Sequence, residues 1–131
     1  MRKDWSSKWI ASKQTRKKRK YAHNAPLHIR RTFIASHLSK DLNKKYKTRS
    51  IKIKVGDKVK IMRGQFKKMV GKITRVKIRD LKVYVEGAEL TKRDGTKAQY
   101  PIHTSNLLVI DLNLADKKRK EKLEKLMKHG A

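Results

Sequence analysis

The side chains best placed to do chemistry in this sequence are its cations. From Lys13 to Lys20 six of eight positions are basic, and Arg16, Lys17, Lys18, Arg19 and Lys20 run without a break. A second group, Arg63-Gly64-Gln65-Phe66-Lys67-Lys68, is punctuated by glycine and followed by Gly71 and Lys72. Guanidinium and ammonium groups at this density suit phosphate, the first through a planar fork of donors and the second as a point charge. Glycine at positions 64 and 71 would let a sugar-phosphate chain come close to the backbone amides. Other chemistry finds no comparable support. The five histidines (His23, His28, His37, His103 and His129) lack metal-ligand spacing, and there is no cysteine to supply a thiolate or a disulfide. Glu86 and Glu89 flank Gly87 and read as solvated strand-end carboxylates rather than an acid/base pair. Gly56, Gly64 and Gly71 fall in no nucleotide-cradling pattern. No enzyme, cofactor or small-molecule substrate is expected.

The charge balance points the same way. Across 131 residues, 38 Lys and Arg face 11 Asp and Glu, a net charge of +27. Such an excess opposes compaction of the isolated chain and favours a polyanionic partner. Residues 1–50 are the most one-sided, with 16 basic and 2 acidic side chains; residues 51–110 carry 15 and 5, and residues 111–131 carry 7 and 4. Nucleic acid is the leading partner, ahead of an anionic membrane surface. No apolar run approaches the roughly 20 residues of a membrane span. Met1-Arg2-Lys3 could open a signal peptide, but no apolar stretch follows it. The expectation is a cytosolic protein with one small core.

The elements that position these cations are mostly strands. Ile51, Ile53 and Val55, then Val59 and Ile61, alternate with polar residues, the period of a half-buried strand. Gly56-Asp57 interrupts them at a turn. Ile73, Val76 and Ile78 form the next run, with a slip between Ile73 and Val76 that predicts a β-bulge. Residues 72–78 and 81–86 read as a hairpin with Lys82 and Tyr84 outward. Ala88 to Thr91 and Lys97 to Ile102 read as a second hairpin around Asp94-Gly95. Leu107 to Ile110 is a continuous apolar run, as in a strand covered on both faces. The fold class is mainly β: five or six short strands in a small antiparallel barrel, with the Arg63 to Lys68 loop at its rim.

Before the strands, Trp5 and Trp9 are four apart and either pack on the barrel or stack on bases. The Lys13 to Lys20 run is a solvated tail or a phosphate-binding arm that orders on RNA; the overall charge favours the arm. Asn24-Ala25-Pro26 marks a break. In Leu27-His28-Ile29-Arg30-Arg31, the two apolar residues would anchor while Arg30 and Arg31 reach outward. Ser39 is the predicted cap of a short helix near 39–47, with Asp41 in its first turn and Leu38, Leu42 and Tyr46 on one stripe. At the other end, Asn113 and Asp116 suggest the start of a helix carrying Leu123, Leu126 and Met127, with Glu121–Lys125 and Glu124–Lys128 as i, i+4 pairs and Gly130 as its stop. That helix is either frayed in solvent or a contact surface for RNA or a neighbouring protein.

The turn at Gly56-Asp57, alternating Val59 and Ile61, Arg63-Gly64, Lys67, Gly71, Ile73 and Val76 resemble the KOW motif, an RNA-binding element on SH3-like barrels. One position departs from it: Lys68 stands where many members carry glycine. Two further blocks extend the likeness over roughly residues 13 to 115, namely Asn24 to Arg31 with Leu38 to Tyr46, and Ile102-His103-Thr104-Ser105-Asn106. In that order they resemble the extended, archaeal and eukaryotic type of the universal large-subunit ribosomal protein family numbered twenty-four. The resemblance implies an SH3-like KOW barrel at 51–110, a basic N-terminal extension with short helices at 1–50 and a helical tail at 111–131. It implies binding to the 5′ region of large-subunit ribosomal RNA, contact with neighbouring large-subunit proteins, support of early assembly and a position near the tunnel exit, where the Ala88 to Ala98 hairpin could lie. The expected RNA-binding residues are Arg16 to Lys20, His28, Arg30, Arg31, Arg49, Arg63, Gly64, Gln65, Lys67, Lys68, Gly71 and Lys72. Of these, Arg63, Gly64, Lys67 and Gly71 match the motif directly. A KOW-type transcription or translation factor that binds RNA transiently is the alternative, and a chromatin-type protein on DNA is a third reading.

Overall fold

Alternation of apolar with basic residues is what builds the sheet, and the strands fall close to where that pattern places them. The structure is a computed structural model describing residues 4–129, with side chains to Met127. The expectations for Met1-Arg2-Lys3, for the Gly130 stop and for the side chains of Lys128 and His129 lie outside the described residues. A 3₁₀ turn (Ser7–Ala11) leads into α1 (Thr15–Asn24), α2 (Leu27–Phe33), β1 (Ala35–Leu38) and α3 (Lys40–Tyr46). Then come β2 (Ser50–Lys52), β3 (Lys58–Ile61), β4 (Val70–Lys77), β5 (Lys82–Val85), β6 (Glu89–Thr91), β7 (Lys97–Gln99) and β8 (Ile102–His103). A second 3₁₀ turn (Thr104–Asn106), β9 (Leu107–Asp111) and α4 (Lys117–His129) complete the order.

Seven strands form one open sheet in the order β2-β1-β9-β3-β4-β5-β8, and β6 pairs with β7 apart from it. On β3 to β5 the buried side chains are those the alternation predicts, Val59 and Ile61, Ile73, then Val83 and Val85, and Leu107 and Val109 of β9 join them. At about 1.5–3 kcal/mol for each large apolar side chain fully buried, this cluster is the main source of stability. The expected slip on β4 is a bulge. Ile73 pairs with Val85 but Arg75 pairs with Tyr84, so Thr74 is the extra residue. The Asp94-Gly95 hairpin is present too, with Gly95 at φ +81°.

Several expectations are corrected. Ala35–Leu38, where the sequence pattern predicts no strand, is β1 and pairs in parallel with β9, so the sheet is mixed rather than antiparallel. Leu38 therefore belongs to β1, and only Leu42 and Tyr46 of the predicted stripe lie on α3. The Ser39 cap holds, since its hydroxyl accepts from the Leu42 amide at 3.4 Å. Val55 is exposed, because the chain turns at 54–57 instead of continuing as a strand. β9 is fully covered on one face only, with Leu107 and Val109 buried, Leu108 half-buried and Ile110 exposed. The Arg16 to Lys20 run is helical. Lys82 and Tyr84 are half-buried, not fully outward.

The tail helix is tied to the sheet. Asp116, not Asn113, caps it, accepting from the amides of Lys118 (3.0 Å) and Arg119 (3.4 Å). Arg119 is buried and meets the fully buried Asp57 in a two-pronged ion pair, with N···O distances of 2.6 and 2.8 Å. The same guanidinium donates to the carbonyls of Asn113 and Lys52, and Asp57 also accepts from the amides of Lys54 and Asn113. Every lone-pair direction of the carboxylate thus has a donor, the condition under which a buried charge is tolerated. Among the described residues no helix is long and apolar enough to cross a membrane.

Candidate RNA interface

Residues 62–69 join the C-terminal end of β3 to the N-terminal end of β4, and their conformation is fixed by backbone bonds at both ends. Met62 N–H donates to the Asn106 carbonyl (2.8 Å), Lys67 N–H to Gly64 (3.1 Å) and Lys68 N–H to Ile61 (2.8 Å). Two residues sit at positive φ, Gly64 at +89° and Lys68 at +74°. Phe66 points inward against the core and stacks tilted on Tyr100, ring centres 5.4 Å apart. The loop is thereby pinned at its middle, and Arg63, Gly64, Gln65, Lys67 and Lys68 face solvent around that anchor.

Charge continues from the loop onto the strands. Lys72 is exposed on β4 directly opposite Lys58 on β3. Like charges facing each other across an antiparallel pair repel, so this strip gains from an anion laid over it. Gly71 has a different environment from Gly64. It is in β4, and a Cβ there would lie 2.5 Å from the Glu86 carbonyl oxygen and 2.9 Å from a Val85 methyl. Close packing of β4 on β5 requires glycine at this position. Nothing lies within 4 Å of a Cβ at Gly64, where the positive φ is the requirement.

The N-terminal cations form a separate group. Arg16, Lys17, Lys18, Arg19 and Lys20 are all exposed on α1. At 3.6 residues per turn five consecutive side chains encircle the helix, so α1 shows positive charge on every side. His28 and Arg31 are exposed on α2, and Arg49 in the bend before β2. Arg30 does not reach outward. Its Nε donates to the Ala25 carbonyl (3.0 Å) and an Nη to the Arg79 carbonyl (2.8 Å), fastening α2 to the turn between β4 and β5. That turn is at the far end of β4 from the 62–69 loop. The structure therefore gathers Arg63 to Lys68 and Lys72 at one end of β4 and does not bring the α1 and α2 cations into that cluster.

Three further contacts hold the elements around these cations. The buried Asp57–Arg119 pair joins residues 62 positions apart, and no local pattern signals it. The clamp of Trp5 on Tyr21, with the indole Nε1 donating to the Tyr21 carbonyl (3.1 Å) and the rings 5.1 Å apart, holds the first turn on α1. His103 Nδ1 accepts from the Ser105 amide and so caps the turn it precedes. Burial, and then Lys82, lowers the His103 pKa from its ordinary 6.5. Among the described residues no group of three His, Asp or Glu side chains could hold a metal.

The family of eukaryotic ribosomal proteins L26 and their archaeal counterparts, the L24 type, matches residues 12–126 of the chain. The large ribosomal subunit protein uL24 of Methanosarcina barkeri is 43% identical, the match covering 88% of this chain and 100% of that protein. Its counterpart in Nanoarchaeum equitans is also 43% identical, with 97% of this chain and 91% of the relative covered.

Proposed function

Because the chain belongs to the family of eukaryotic L26 and archaeal L24 ribosomal proteins, we propose that it binds the 5′ region of large-subunit ribosomal RNA and supports early assembly of that subunit. Membership makes it a structural, non-enzymatic constituent of the large subunit, in the ribosome and the cytoplasm. On this reading the strands of residues 51–110 act as an SH3-like barrel of the KOW type, residues 1–50 as a basic extension and residues 111–131 as a helical tail. The observation that carries it is the 62–69 loop. Its shape is set by the protein itself, through Gly64, Lys68 and Phe66, while among the described residues none of its cations pairs with a carboxylate. A preformed cationic loop is what shape-based recognition of folded RNA needs. The strip of Lys58 and Lys72 beside it extends the same surface.

The remaining site residues fit the proposal as donors to phosphate: Arg16 to Lys20, His28, Arg31 and Arg49 by exposure, Arg30 through whatever donors its two carbonyl bonds leave. Neighbouring large-subunit proteins are the other partners. The β6–β7 hairpin stands apart from the main sheet, and we assign it to the side of the protein near the tunnel exit. The test is binding to a transcript of the large-subunit 5′ region, at several salt concentrations, of the parent and of the triple variant Arg63→Ala, Lys67→Ala, Lys68→Ala. The proposal expects weaker binding and a salt slope lower by about 2 to 3, close to one for each phosphate no longer neutralised. Unchanged affinity and slope would remove the loop from the interface. Co-sedimentation with the large subunit through a high-salt gradient separates a resident protein from a transient factor.

A further inference from the structure

We propose that the groove between the Ser7–Ala11 turn and α1 holds one unpaired nucleotide of RNA, its base stacked on the Trp9 indole and its flanking phosphates on Lys8, Lys17 and Lys20. This rests on the RNA-binding reading above and names a contact well removed from the 62–69 loop. Trp5 and Trp9 are the same residue type four positions apart, yet they have opposite environments. Trp5 is half-buried, bonded through its indole N–H and stacked on Tyr21, which in turn lies 5.9 Å from Phe33. Trp9 is 44% exposed, and among the described residues its ring has no stacking partner and its N–H no acceptor. The Trp5 clamp holds the turn against α1, so that Trp9 forms one side of a groove of about 350 Å³.

The lining says what would enter. Besides Trp9 it consists of Lys8, Ser12, Lys17, Lys20 and Tyr21: two aromatic rings, three ammonium groups and no carboxylate. No acidic residue occurs anywhere between Asp4 and Asp41. An open aromatic face flanked only by cations matches a nucleobase with a phosphate on either side, since stacking tolerates any base and the ammoniums follow the backbone. An apolar protein segment would use the indole but would leave three lysines uncompensated. Paired bases keep both faces covered by neighbours, so the nucleotide must come from a single-stranded loop or bulge.

The experiment uses the full chain with Trp5→Phe, so that tryptophan emission reports Trp9 alone. It is titrated with a mixed-sequence single-stranded RNA of about eight nucleotides, within the usual site size for such grooves, and with a duplex of equal charge. The single strand is expected to quench the emission and the duplex to leave it nearly unchanged. Trp9→Ala should weaken single-strand binding by about tenfold to a hundredfold, the range base–aromatic stacking supports, whereas Trp9→Phe should stay within a few-fold of the parent. Independently of any change to the aromatic cluster, Lys17→Gln with Lys20→Gln should lower the salt slope by about 1.4. Equal binding by Trp9→Ala, equal quenching by the duplex, or an unchanged slope overturns the proposal. So does loss of a neighbouring protein from subunits carrying Trp9→Ala with RNA binding intact, which would give the groove to that protein. The ribosomal RNA transcript separates the two levels. If the loop triple variant weakens transcript binding while Trp9→Ala does not, only this inference falls; if neither does, the loop assignment falls with it.

Discussion

Position 68 shows most directly how one side chain is held between folding and binding. The backbone there is at φ +74°, a conformation that costs a residue with a Cβ about 1–2 kcal/mol. Glycine would relieve that strain but would also free the unfolded chain, offsetting part of the gain by about 0.4–1 kcal/mol. Lys68→Gly is therefore expected to stabilise the free protein by roughly 0.5–1 kcal/mol in chemical denaturation while lowering the salt slope of RNA binding by about one. Movement of both quantities in the same direction would contradict the assignment of strain to this residue. Gly71 is the opposite case. A methyl there would have to displace the Glu86 carbonyl, which is backbone and cannot swing aside. Gly71→Ala should cost about 2–3 kcal/mol as overpacking, with loss of RNA binding following only from loss of the fold. The two motif glycines thus separate, Gly64 setting the shape of the loop and Gly71 the approach of two strands.

At the scale of elements, the attachment of α4 to the sheet depends on one buried charge pair. Deleting the Asp57 carboxylate leaves the Arg119 guanidinium buried without a counter-charge, a change worth about 3–5 kcal/mol in comparable pairs. Asp57→Ala should show that loss in a thermal or denaturant melt. The double variant Asp57→Leu, Arg119→Met should recover only part of it, because the amides of Lys54 and Asn113 lose their acceptor along with Arg119. Full recovery would mean that those amides contribute nothing. The turn after β8 responds to pH instead. With its pKa below 6.5, His103 holds fewer protons folded than unfolded. Its stabilising cap is intact above the unfolded value and is lost as pH falls through the folded one. Melting between about pH 7.5 and pH 5.5 should therefore drop in the parent and drop less in His103→Asn, which keeps an acceptor without the titration. Local signals of this kind were the legible ones: alternation gave β3, β4 and β5, the slip gave the bulge at Thr74, Asp-Gly gave the β6–β7 hairpin and Ser39 gave the α3 cap. What stayed hidden was long-range. Ala35–Leu38 has two apolar residues in four, too few to signal a strand, and is one because β9 and β2 flank it. The cations of the loop could be read from sequence, but the inward turn of Arg30 depends on a carbonyl 49 residues away.

For the whole molecule the decisive quantity is uncompensated charge. Against a net +27, few cations meet a carboxylate; ion pairs between described residues include Lys54–Asp116, Lys77–Asp80 and Asp57–Arg119. Two of the three are at the surface, where such pairs contribute little. Added salt therefore has few attractions to weaken and many repulsions to screen. Raising ionic strength from about 10 mM to 300 mM shortens the screening length from roughly 30 Å to 6 Å. The melting temperature of the free protein should rise over that range, while its affinity for ribosomal RNA falls steeply over the same range. The two trends have opposite signs because one polyanion does both jobs: bound RNA neutralises the charge that the fold alone leaves exposed. It follows that RNA should stabilise the protein most at low salt, where the free chain is weakest, and the shift in melting temperature on adding the 5′ transcript should shrink as salt increases. A free protein that melted lower in high salt would show that ion pairing, not repulsion, governs its stability, and would separate the charge excess from the fold.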